Sequence, residues 1–386
     1  MNPAAAPFVE TYAVRNNDPF SERGLTMKQI RTVLGSISPE DLGFTSMHDH
    51  TVIDMRTAAD YLKSLFPPVP PEMVEFRMEN MSFFRTGAFL MCPEMQKTDD
   101  VDGLAAEYGF FKAMGGQSVV DPSPKLIRGD IRKIQELSRR TGLNIICATG
   151  MYHQTAVPQE YWDQGADYYY GLFSDEINNG IDGTEVRPGI LKASLATCCE
   201  MERDILEACI RLSSETGMAV YIHTEPTTDG GTLHQYLDAL CGKYGVDHGR
   251  IQVCHMDSRI ACGVPVAEYM NDPAVNRTLD LELHKRLLGE GYTIGLDCWG
   301  MPTSGMYLFI PDNYERLKAL ITLLDLGYGS QIVLGNDFSS RMLWKKYGGS
   351  GSVSFIESGL AGLEMFGRKD QIQKLVVENP ARILAF

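Results

Sequence analysis

The sequence predicts one α/β domain built as a (β/α)8 TIM barrel, preceded by an N-terminal arm and carrying a long insertion after the first strand. Three observations predict it. From residue 115 onward, short apolar or β-branched runs ending in Gly, Asp, His or Thr alternate with longer segments of helical apolar spacing. With one earlier run, eight strands are expected, at 43–48, 117–121, 144–150, 189–193, 219–223, 250–255, 292–297 and 331–337. The residues able to do chemistry fall in these strands or at their ends, where barrel enzymes keep their active sites. A doubly wound open sheet is the alternative.

The elements follow in order. Residues 1–30, with Pro3, Pro7 and Pro19, read as an arm lying on the surface or across a partner subunit, which leaves 31–386 for the barrel domain. The insertion at 51–96 carries Pro67, Pro68, Pro70 and Pro71, then Met73, Phe76, Met78, Met81, Phe83 and Phe84. It is either a lid or wall of the pocket or a helical subunit contact. Between strands, residues 130–140 put Ile131, Ile134 and Leu137 on one helical face, and 201–213 do the same with Ile205, Cys209 and Leu212. Gly142, Gly217 and Gly327 stand where helices end. A second irregular stretch, 258–280, is expected to cap the site beside His255.

Composition narrows the function. The 386 residues are 44% hydrophobic and 22% charged, enough apolar material for a large core. A net charge of −15 argues against a nucleic-acid or anionic-membrane partner and for a small-molecule substrate. No apolar run approaches the roughly 18 residues of a membrane span. Residues 1–17 lack the basic start and apolar centre of a signal peptide. Nine cysteines, two of them adjacent (Cys198 and Cys199) and none in a CxxC pair, fit a reduced, cytoplasmic protein.

The strand ends point to a metal site. His48 and His50 close the first strand as His-Asp-His, and alternation lets both face inward while Asp49 faces away. His223, His255 and Asp337 close the fifth, sixth and eighth strands, whereas His153, His234, His248 and His284 fall outside the strands. Imidazoles and a carboxylate converging on one axis suit a divalent transition metal. Lys192 lies within the apolar fourth strand, where an inward-facing ammonium would carry a heavy desolvation cost unless paired or neutral.

Taken together, Gly-Phe-Thr-Ser-Met-His-Asp-His, Pro-Gly-Ile-Leu-Lys-Ala, Tyr-Ile-His-Thr, Val-Cys-His-Met-Asp and Leu-Gly-Asn-Asp resemble the phosphotriesterase family of the amidohydrolase superfamily, from about Ile30 to the Val-Glu-Asn-Pro-Ala-Arg near the C-terminus. The resemblance implies a binuclear centre, usually zinc, with manganese, cobalt or iron as alternatives the same donors accept. His48, His50 and Asp337 would hold the more buried ion and His223 and His255 the more exposed one. Lys192, carboxylated by carbon dioxide, would bridge them together with a hydroxide. Asp337 would serve as general base. Family members are often dimers, so a homodimer is expected.

The resemblance leaves the substrate open among lactones, phosphate or phosphonate esters and, as an alternative, N-acyl compounds cleaved at an amide. The seventh strand ends Gly-Leu-Asp-Cys-Trp-Gly. Triesterases of the family carry a His after that Asp and many lactonases an Arg. Here Cys298 takes the place, making it a candidate substrate contact beside Asp297, a candidate for proton shuttling. Tyr152 stands close to where lactonases hold a tyrosine near the metals. Arg341, Lys345 and Lys346 cluster in the loop after the eighth strand, and with Arg259 they are candidates for an anionic substrate group. A barrel that had lost turnover and only binds would be expected to lack a ligand, and all six are present.

Overall fold

A computed structural model of the chain describes residues 28–56, 69–86, 88–260, 279–301 and 311–386. The arm as far as residue 27, and most of the 258–280 stretch, therefore lie outside the described residues. Eight parallel strands run in sequence order around the sheet. They are β1 (Thr45–Ser46), β2 (Ser118–Asp121), β3 (Asn144–Gly150), β4 (Ile190–Ser194), β5 (Val220–His223), β6 (Ile251–Val253), β7 (Thr293–Leu296) and β8 (Ile332–Leu334). The first and last meet through Met47 N to Leu334 O (2.8 Å), Asp337 N to His48 O (2.9 Å) and His50 N to Phe338 O (3.3 Å). That contact makes the sheet a TIM barrel rather than an open doubly wound sheet.

Helices connect the strands: α1 (Val101–Ala113), α2 (Ile131–Thr141), α3 (Ala166–Asn179), α4 (Glu200–Thr216), α5 (Gly230–Tyr244), α6 (Glu282–Gly289) and α7 (Asn313–Asp325), with a last helical segment over 355–365. Their starts are written locally. Asp100, Asp130, Asp229 and Asp312 each accept a backbone N–H of the first turn, and Asp312 forms a reciprocal capping box with Glu315. Gly142 and Gly217 end α2 and α4 at φ 65° and 75°, a left-handed conformation that costs a side chain dearly and glycine little.

Alternation along the strands sorts the core into two. Ile146, Ile190, Tyr221 and Val333 belong to a cluster inside the barrel, while their neighbours Ile145, Leu191, Ile222 and Leu334 pack in the cluster beneath the helices. Lys192 and His223 share the inward parity of Ile190 and Tyr221, so strand period alone carries them toward the barrel axis.

The insertion after β1 begins with a short antiparallel pairing, Ile53–Asp54 against Lys97–Thr98. Its described part then runs through short turns and the single turn Met81–Phe84. It packs onto the loop after β8: Arg85 donates to the Tyr347 carbonyl at 2.7 Å, and Phe76 meets the Tyr347 ring edge-on at 5.1 Å.

Candidate metal centre

The C-terminal ends of the strands bring the predicted residues together. His48, His50 and Asp337 form one group whose potential ligand atoms lie within 4.8 Å of one another, and His255, Cys298 and Asp337 form another. His50 Nε2 is 3.2 Å from Asp337 Oδ1, and His48 Nε2 is 3.8 Å from the same oxygen. The His48 and His255 rings stand 4.7 Å apart, and those of His255 and His223 4.8 Å apart. Lys192 is 1% exposed on the inner face of β4.

Each imidazole is held from behind. His48 Nδ1 bonds Asp297 Oδ2 at 2.8 Å and His50 Nδ1 bonds Ser123 Oγ at 2.7 Å, turning both Nε2 atoms toward Asp337. Asp297 Oδ1 also accepts the His255 backbone N–H at 2.8 Å and lies 3.0 Å from His255 Nδ1. One carboxylate thus orients two imidazoles. Behind it, the Asp257 carboxylate accepts the Asp297 and Cys298 amides at 3.2 and 2.9 Å and ion-pairs with the fully buried Arg316 of α7 at 2.9 Å.

Burial and neighbouring charge set the protonation. Burial pulls His48 down to about 3, so its imidazole is neutral and its nitrogen lone pair free to bind an ion. For Asp337, burial opposes ionisation, but the His50 hydrogen bond and the neighbouring imidazoles prevail and hold it at about 2. At His255 burial acts downward, and the Asp297 carboxylate overcomes it, giving about 9, so an ion bound at its Nε2 must displace a proton there.

Two observations test whether a metal fits. His48 Nε2 is buried without a hydrogen-bond partner among the described residues, as a metal-ligand atom would be. Among the described residues, Lys192 Nζ has one hydrogen-bonding neighbour, the Cys254 thiol at 3.9 Å, and no carboxylate to pair with. The donor set fits divalent ions.

The remaining sequence candidates divide. Tyr152 places its hydroxyl 3.3 Å from both ring nitrogens of His223, and burial raises its phenol well above the ordinary range, keeping it a donor. Cys298 Sγ lies 3.3 Å from His255 Nδ1, and burial keeps this thiol protonated. The cationic candidates engage protein groups instead. Arg259 donates to the Glu225 and Thr228 carbonyls, both at 2.6 Å. Arg341 donates to the Lys97 carbonyl at 2.9 Å and approaches Asp99 at 3.8 Å, while Lys345 pairs with Glu357 at 3.0 Å.

Several residues escaped the sequence reading. Glu225, two positions after His223, reaches His223 Nε2 at 2.9 Å. Asp257, two after His255, carries the brace just described. The outward-facing Asp49 accepts the Asn336 and Phe338 amides, both at 3.3 Å, pinning β8 to β1, and burial pushes its carboxyl up to about 7. The first two share a signal, a carboxylate two residues past a strand-end histidine. It is indistinct without the fold.

Comparison with known proteins adds the family. A phosphotriesterase-family profile matches residues 28–271. The chain belongs to the phosphotriesterase family. It is accordingly a hydrolase, of a family generally dependent on a binuclear metal centre. A phosphotriesterase-related protein of Nematostella vectensis is 26% identical over 94% of this chain and all of its own length. The N-acetyltaurine hydrolase of Rattus norvegicus is 25% identical over 93% of this chain and 98% of its own. Among solved structures, a resiniferatoxin-binding protein from Rhodobacter sphaeroides superposes with a TM-score of 0.78 at 27% identity, covering 92% of this chain and 94% of that one. A lactonase from Listeria monocytogenes shares the fold, with a TM-score of 0.72 at 19% identity over 93% of this chain and 99% of that one. No helix among the described residues is long and apolar enough to cross a membrane.

Proposed function

We propose that the protein is a binuclear metal-dependent hydrolase that cleaves a small ester of a carboxylic acid, a lactone foremost. The observation that carries the carbonyl reading is the protonated Tyr152 hydroxyl beside His223, a donor available to a carbonyl oxygen bound next to that histidine. In this reading His48, His50, His223, His255 and Asp337, with Lys192 carboxylated on Nζ, would hold the two ions. Zinc suits these donors, as do manganese, cobalt and iron. The ions would supply a water nucleophile at neutral pH and Lewis-acid polarisation of the substrate.

The chain's own groups do the rest. Asp337 takes the proton of the attacking water and later returns it to the leaving group. Tyr152 donates a hydrogen bond to the oxygen on which charge develops. Asp297, braced by Asp257 and Arg316, keeps His48 and His255 aimed. An anionic substrate group would reach Arg341 only by drawing it from the Lys97 carbonyl.

A second reading, hydrolysis of an N-acyl amide, is favoured by the N-acetyltaurine hydrolases that match this chain, the human protein at 24% identity over 93% of the chain and 98% of its own length. The same residues serve it, with Asp337 protonating the departing amine. A hydrolysis screen decides. Metal-replete protein is offered matched lactones, phosphate and phosphonate esters, and N-acyl amino compounds, with Asp337→Asn as the blank. Turnover of lactones upholds the first reading and turnover of amides the second. A preference for phosphorus esters removes Tyr152 as a carbonyl partner and sinks both.

A further inference from the structure

At the N-terminal end of the barrel, remote from the metal centre, the hairpin Ile30–Thr32/Gly35–Ile37, the last turn of α2 and the segment entering β4 enclose a cleft of about 350 Å³. Arg31, Arg139 and Arg187 line it, against the single carboxylate of Glu185. This is unusual in a chain of net charge −15, whose other arginines commonly pair with carboxylates, as Arg140 does with Asp102, Arg211 with Asp167 and Arg368 with Asp325. Among the described residues, none of the three cleft arginines forms an ion pair or a side-chain hydrogen bond, and neither does Glu185.

The cleft is also shaped. Thr32 Oγ1 donates to the Gly35 carbonyl at 2.7 Å and Gln135 Nε2 to the Val33 carbonyl at 3.0 Å, so the hairpin wall is fixed. The Arg31 guanidinium lies over the Phe386 ring, 5.1 Å from its centre, and its Nη1 is buried with no partner among the described residues. Burial, and then the nearby charge of Arg187, lower its pKa, the mark of a cation lacking a counter-charge. Like charges gathered around a small concavity raise the energy of the free protein and fall to rest when an anion enters. Planar guanidiniums present paired N–H donors matched to the oxygens of phosphate or carboxylate.

We propose that this cleft binds a small oxyanion-bearing metabolite, a phosphate monoester or a carboxylate, at a site separate from the catalytic one. The full-length, metal-loaded protein is titrated calorimetrically with inorganic phosphate at constant ionic strength, beside Arg31→Gln/Arg187→Gln. Phosphate meeting the metals is common to both proteins. The expected result is one binding event more in the wild type, or an event weakened by about tenfold or more in the variant, as loss of charge-assisted hydrogen bonds dictates, with kcat unchanged. Identical isotherms overturn the proposal.

Melting gives a second reading that survives if the double variant folds poorly, because Arg187 is exposed. Without phosphate, Arg187→Gln should melt higher than wild type, since a repulsion is removed, and phosphate should stabilise it less than it stabilises wild type. A lower melting temperature for Arg187→Gln in phosphate-free buffer, or equal stabilisation of the wild type by phosphate and by chloride, overturns the site. Acetate binding as well as phosphate would assign a carboxylate ligand, and much weaker acetate binding a phosphate monoester.

Discussion

The two ends of the barrel treat unpaired polar groups in opposite ways. At the C-terminal end, imidazoles and carboxylates orient one another and leave lone pairs converging, as at His48 Nε2 and Asp337 Oδ1. At the N-terminal end, three guanidiniums share a cleft with one carboxylate and leave donors unanswered. A group without a protein partner is thus not a defect of packing at either end. Its chemistry names the missing partner, a cation where lone pairs meet and an anion where N–H groups meet.

The comparison breaks most sharply at Asp337. Asp337→Asn should keep the fold, checked by circular dichroism, and lose roughly 10³-fold in kcat, the size of a general-base contribution. Near-normal turnover would remove Asp337 from the mechanism.

Chelation comes next. If the C-terminal end is built for cations, stripping the ions should lower the melting temperature, and readding them should restore it, because ligand binding to the folded state alone stabilises it. An unchanged melting curve would mean that the cluster is satisfied without metal. Asp297→Asn tests the brace behind it. It should weaken metal binding by about 10- to 100-fold, measured by competition with a chelator, since two imidazoles lose their orienting carboxylate. Unchanged affinity would make Asp297 a mere packing residue.

The smallest expected effect is at Arg341. With its guanidinium on the Lys97 carbonyl and near Asp99, Arg341→Ala should cost about 1 kcal/mol of stability and shift KM alike for anionic and neutral substrates. A rise in KM confined to anionic substrates would restore it as a substrate contact and place a third kind of unpaired-charge chemistry beside the metals.

How much was legible follows the range of the interactions. The strand endings that carry His48, His50, Lys192, His223, His255 and Asp337 could be read because alternation is a local property, and the local rule sends those side chains to one axis. The terminal glycines Gly142 and Gly217 were legible for the same reason. The loop cations were not. Arg341, Lys345 and Arg259 look alike in sequence as free positive charges, and their partners, Lys97, Glu357 and Glu225, are distant in the chain or hidden in backbone carbonyls.

The sequence by itself determined the barrel and the identity of the groups at its mouth, since period, caps and residue type act within a few positions of each other. Tertiary structure alone decided which carboxylate braces which imidazole, that Asp49 clasps β8 to β1, and that Arg31 and Arg187 face one cleft. Those outcomes depend on separations of 40 to nearly 300 positions, such as His255 to Asp297 and Asp49 to Asn336. At such range only the closed barrel, with its fixed strand order, brings charges near enough for Coulomb attraction, repulsion and desolvation to choose between partners.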